Sequence, residues 1–152
     1  MSEMLGNQYF MARNYSAAAV ELEECLKLHP ANKSIRKKLI VCYTQIGKVQ
    51  HALNEFYSLV QEDIKFIAET DPIRDDCPCP ELVAKIEKLN PANSGSMEYN
   101  IMTGIMWLYC DASKSLPYFE NAAKMEPGNP IFSNIASLIK YYIQSETKIV
   151  TS

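Results

Sequence analysis

The sequence predicts an all-α fold, an array of antiparallel helix pairs in one domain over residues 1–146, and three features predict it. The chain repeats at a single interval: Tyr9 and Tyr43, Ala18 and Ala52, Leu22 and Phe56, and Cys25 and Leu59 each stand 34 residues apart. That interval is the length of a helix–turn–helix unit, which cannot bury its apolar face alone and stacks on its neighbours. Apolar residues recur within each unit at helical spacing: Ala18, Leu22, Cys25 and Leu26 share one face, as do Leu39, Cys42, Tyr43 and Ile46. The units also close alike, on Pro30-Ala31-Asn32 and on Pro127-Gly128-Asn129, a turn followed by a residue suited to cap the next helix.

Taken in order, a first helix is expected over 2–12 and a second over 16–28. The small Ala18 lets the two approach closely, with Tyr15 and Leu22 filling the space around it. Asn32 caps a third helix over 33–46, Gly47 suits the turn that ends it, and a fourth runs over 49–69 with Ala52 and Phe56 in the same roles. An irregular insert over 67–96 follows. Its stretch from Glu69 to Pro80 holds three prolines and clustered acids and reads as a loop, and a short helix near 80–90 ends on Pro91-Ala92-Asn93. The third unit, 97–129, is looser. Gly104, Trp107, Phe119, Ala122 and Ala123 keep the pattern, but Ser115 replaces an alanine and the stretch before Phe119 is one residue short. Its helices are expected over 96–110 and 113–125, the second starting late or bending because Pro117 removes a backbone donor. A last helix over 130–146, with Asn129 as cap and Pro130 at its first position, covers the end of the array, and 147–152 are expected to fray.

The 152 residues are 47% hydrophobic and 22% charged with a net charge of -3, the balance of a folded domain and not of a disordered chain. Mild acidity gives no basic surface for nucleic acid, and no apolar run approaches the roughly 18 residues that span a bilayer. Met1 to Asn7 are neither basic nor apolar enough for a secretory signal. Five scattered cysteines read as reduced thiols, so the expected setting is cytoplasmic.

Gly6 and Tyr9 on a first helix, Tyr15-x-x-Ala18 opening the second, Leu22 four residues on and a closing Pro30-x-Asn32 resemble the tetratricopeptide repeat, and Leu39, Tyr43, Ala52 and Phe56 continue the likeness. Units near 1–32, 33–66 and 97–129 carry it over about two-thirds of the chain, with Ile40 and Ile64 standing where the second unit would carry Gly and Pro. The resemblance implies a right-handed superhelical array of about three repeats plus a C-terminal capping helix. The first helices of its units would line a concave groove that holds a peptide or helix of a partner protein. The residues it places there are Met4, Asn7, Phe10 and Met11, then Lys37, Lys38, Val41, Thr44 and Gln45, then Ile101, Met102, Ile105, Leu108 and Tyr109. Asn7 matches an asparagine with which some members hold a C-terminal carboxylate. Glu3 stands where that clamp needs Lys and Val41 replaces a polar contact, so heat-shock protein tails are not the expected ligand.

Two stretches admit two readings. Lys33, Arg36, Lys37 and Lys38 form either a solvated helix face or the charged wall of the groove. The helix 97–109 is apolar nearly all round and is either covered by neighbours on both sides or left as a surface for a partner. Catalysis is not expected. Neither His29 nor His51 has a recognisable partner, and there is no phosphate-binding glycine loop or dinucleotide fingerprint. No cofactor is expected either. Cys77-Pro78-Cys79 invites a metal or redox reading but lacks the second ligand pair of a tetrahedral zinc site. The expected function is therefore a non-enzymatic adaptor or scaffold that docks a protein segment. The alternative is a self-associating structural module of a homodimer or of a larger protein, and a thiol or metal protein built on Cys77 and Cys79 is the distant third.

Overall fold

The computed structural model describes residues 2–71, 81–85 and 95–151, and all regular structure among them is helical. In chain order the helices are α1 (Ser2–Met11), α2 (Tyr15–Leu28), α3 (Lys33–Gln45), α4 (Val49–Ala68), α5 (Met97–Leu108), α6 (Ala112–Met125) and α7 (Pro130–Thr151). A short helical stretch at 81–85 lies between α4 and α5, its Leu82 and Val83 buried. Among the described residues no helix is long and apolar enough to cross a membrane. The chain forms two compact units, Met1–Leu59 and Val60–Ser152. Their boundary falls inside α4, close to Asp63, whose φ of -163° and ψ of 82° interrupt the helix.

In the first unit α1 packs on α2, α2 on α3, and α1 also touches α3. The 34-residue period reappears here as repeated backbone bonding. The Asn14 amide donates to the Tyr9 carbonyl at 2.9 Å, and 34 residues later the Lys48 amide donates to the Tyr43 carbonyl at 3.0 Å. Each bond closes a helix through a residue in the left-handed region, Arg13 at φ 64° and Gly47 at φ 82°. The amides of Ala18 and Ala52 then donate to the carbonyls of Asn14 and Lys48, both at 3.0 Å, opening α2 and α4 alike. Ala18, Ala52, Leu22 and Phe56 are all wholly buried, as their spacing predicts. Gly6 shows how close the first contact is: a β-carbon there would lie 2.8 Å from Leu22 Cδ2.

The second unit repeats the close helix contact with one substitution, but α5 closes differently: the Asp111 amide donates to the Trp107 carbonyl at 2.6 Å, and the turn uses no left-handed residue. A β-carbon on Gly104 would meet the Phe119 ring at 2.8 Å, the counterpart of Gly6 against Leu22. Ser115, buried where Ala18 sits in the first unit, donates its hydroxyl to the Gly104 carbonyl at 2.6 Å. A serine is accommodated because its added oxygen has an acceptor within reach. The cap residues act as expected: Asn32 Oδ1 accepts from the Ile35 amide at 3.1 Å and Asn129 Oδ1 from the Ile131 amide at 3.2 Å.

Two expectations are corrected. Pro117 does not delay its helix, since α6 begins at Ala112 with Asp111 accepting from the Ser113 amide at 3.0 Å. Pro117 and Ser113, the residue whose carbonyl loses its usual donor, are both exposed, so water can satisfy that group. The last helix runs past its expected end at 146: α7 continues to Thr151, and no Gly or Pro interrupts the run from Ile131 onward.

Candidate partner-binding surface

The fourteen groove residues separate sharply by exposure. Phe10, Lys37, Val41, Thr44, Ile101, Ile105, Leu108 and Tyr109 are buried within the fold. They cannot form a surface for a partner as they stand. Phe10 meets the Tyr15 ring edge to face, centroids 6.0 Å apart. Thr44 donates its hydroxyl to its own helix, to the Val41 carbonyl at 2.7 Å. On α5, the residues from Asn100 to Leu108 are buried apart from half-buried Met102 and Trp107. Of its two readings, coverage by neighbours is the one this burial supports, and α5 contributes little to an open groove.

What remains exposed lies on α1. Met4 is 65% and Met11 57% exposed, and with the half-buried Asn7 they follow at three- and four-residue steps along one face. Lys38 of α3 donates its ammonium to Asn7 Oδ1 at 2.8 Å, fixing the amide between the two methionines. Gln45 is half-buried farther along α3 and donates to the Thr44 hydroxyl at 3.2 Å. The structure thus brings Met4, Asn7, Met11 and Lys38 together as one surface.

The basic cluster matches neither of its readings as a whole. Lys37 is only 9% exposed, Lys38 is engaged with Asn7, and Arg36 turns inward. The Arg36 guanidinium donates to Ser58 Oγ at 2.9 Å and lies 3.6 Å from a Glu55 carboxylate oxygen, tying α3 to α4. Arg36 is a structural residue that sequence reasoning missed. Its partners lie about twenty positions ahead on the next helix, and no short spacing marks the pairing.

The thiols and histidines offer no reactive centre in the described residues. Cys25 and Cys42 are buried and Cys110 half-buried, all three free. Burial pushes the Cys42 thiol up to about 12, so it stays protonated at neutral pH. His29 and His51 are exposed, His51 with its ring 5.6 Å from that of Tyr43. No group of three or more His, Cys, Asp or Glu side chains among the described residues is placed to hold a metal. Cys77 and Cys79 lie outside the described residues.

A further concavity, in the second unit, was not anticipated. A cleft of about 580 Å³ is lined by Trp107, Ser113, Lys114, Pro117, Tyr118 and Asn121. The Lys114 ammonium sits 4.6 Å from the centre of the Trp107 ring, and the Tyr118 ring meets that of Tyr99 edge on at 6.1 Å.

No known family, no curated protein and no solved structure matches this chain.

Proposed function

We propose that the protein is a non-enzymatic adaptor built from tetratricopeptide-like helix pairs, and that its first unit docks an apolar segment of another protein on α1. The observation that carries this reading is the pair of exposed methionines, Met4 and Met11, flanking an Asn7 amide held by Lys38. Methionine is flexible and polarisable and adapts to varied apolar partners, while a positioned amide fixes orientation. Burying each methionine in an interface is worth about 1.5–3 kcal/mol, so losing both should be felt in retention of the partner.

The test is affinity capture from cell extract on three immobilised forms: wild type, the Met4→Asp/Met11→Asp double variant, and Val20→Asp. Val20 is an equally exposed apolar residue on α2, outside the proposed surface. A protein retained by wild type and Val20→Asp, and lost at least tenfold by the double variant at unchanged helix content, is the expected result. Equal retention by all three forms refutes the docking surface. Light scattering on the same forms addresses self-association: a dimer dissociated by the double variant would replace the adaptor with a homodimeric module.

A further inference from the structure

We propose that the cleft between the end of α5 and the start of α6 is a second, independent docking site for a short extended peptide segment that combines proline with a carboxylate. It does not depend on the α1 surface, and either site can fail alone.

The lining argues for the occupant. Trp107, Tyr118 and Pro117 give it apolar walls, and Ser113 and Asn121 are exposed polar groups at its rim. Its volume falls within the range of about 300–1,000 Å³ typical of ligand sites. Lys114 is the only charged residue in the lining, and among the described residues it has no ion-pair partner, its ammonium resting on Trp107 instead. In a chain of net charge -3 this is a local positive point over an aromatic floor, complementary to an anion carried by an apolar segment.

Size selects an extended occupant. From Ser113 to Asn121 the α6 wall is about 12 Å long at ~1.5 Å per helical residue. That accepts only about two turns of a docked helix, but about four residues of polyproline II at ~3.1 Å each. Polyproline II also loses little conformational freedom on binding and docks into aromatic-lined grooves. The half-buried Trp107 and Tyr118 line this one, and Lys114 reads the acid.

Trp107 is the one tryptophan of the chain, so its fluorescence reports on the cleft directly. Wild type and Lys114→Met are titrated with three blocked peptides: Pro-Pro-Glu-Pro-Pro, Pro-Pro-Gln-Pro-Pro and Gly-Gly-Glu-Gly-Gly. A saturable shift in Trp107 emission is expected with the first. The second should bind about threefold more weakly, the scale of one exposed ion pair, and the third should give no saturation. In Lys114→Met, whose exposed position leaves folding intact, the Glu and Gln peptides should become equivalent. No saturable shift with the first peptide overturns the proposal, as does equal binding of the glycine peptide or an undiminished Glu preference in Lys114→Met. An emission that changes with protein concentration alone would give the cleft to a second copy of the chain, and also overturns it.

Discussion

At the scale of single residues, the fold depends on places where a side chain is missing. Gly104 and Gly6 occupy matching positions, but their neighbours differ in how far they can yield. A β-carbon at 104 meets three atoms of the Phe119 ring, between 2.8 and 3.1 Å away, and that ring is wholly buried and rigid. A β-carbon at 6 meets Leu22 Cδ2 and Cγ at 2.8 and 2.9 Å; Leu22 is wholly buried too, but an aliphatic side chain with two rotatable bonds yields more than a rigid ring. Alanine also favours a helix interior by about 1 kcal/mol over glycine, and this gain opposes the clash at both sites. Gly104→Ala is therefore expected to destabilise the protein by about 1–2 kcal/mol, and Gly6→Ala by less. Urea unfolding of the two variants decides the matter. A Gly104→Ala protein as stable as wild type would show that the Phe119 contact is loose.

At the scale of elements, the first helices of the first two repeats end by the same rule, with a difference at one residue. Arg13 and Gly47 close α1 and α3 with the same hydrogen bond in the same left-handed conformation, but only one of them is a glycine. An L-residue there carries about 1–2 kcal/mol of strain, partly offset by the greater freedom glycine loses on folding. Arg13→Gly is expected to stabilise the protein by about 0.5–1 kcal/mol, read as a raised urea midpoint at unchanged slope. A lowered midpoint would mean that the arginine side chain contributes more than its backbone costs. This asymmetry also shows what was legible beforehand. The helices, the interval of 34, the small Ala18 and Ala52 and the Asn32 cap depend on local spacing and on contacts that recur, and they could be read from the chain. The fate of Arg36 depends on Glu55 and Ser58 of the next helix, and the burial of Ile101, Ile105 and Tyr109 depends on what covers α5. An all-apolar helix has the same pattern whether its second side meets neighbours or solvent, so the candidate surface narrowed from the first helices of all three units to α1 only when exposure was known. The Trp107 cleft was illegible for a related reason: it joins two helix ends, and the interval marks helix faces rather than the gaps between them.

At the scale of the whole molecule, both units hold wholly or partly buried groups that ionise at high pH, and this gives the chain a directional response to alkali. In the first unit Cys42 and Tyr43 are both pushed up to about 12, chiefly by burial and further by the charge of Glu23. In the second unit Cys110 and Tyr142 are raised as well, again chiefly by burial, with Asp111 adding to the first and Glu69 to the second. All four are neutral when protonated. The unfolded chain releases these protons at lower pH than the folded one, so above pH 9 it binds fewer protons and gains in relative stability. The stabilisation is therefore complete below the ordinary thiol value of 9.0 and is lost as pH rises toward about 12. Cys42 alone should lower stability by about 1 kcal/mol per pH unit between pH 9.5 and 11, with Tyr43 adding to the slope above pH 10. Urea unfolding of wild type and Cys42→Ala at pH 8, 9, 10 and 11 tests this. Cys42→Ala will be less stable at pH 8 because it leaves a cavity, but its decline with pH should be shallower, so the two curves converge. Parallel curves would mean that the buried thiol ionises as readily in the folded chain as in the unfolded one, and that water reaches the interior of α3.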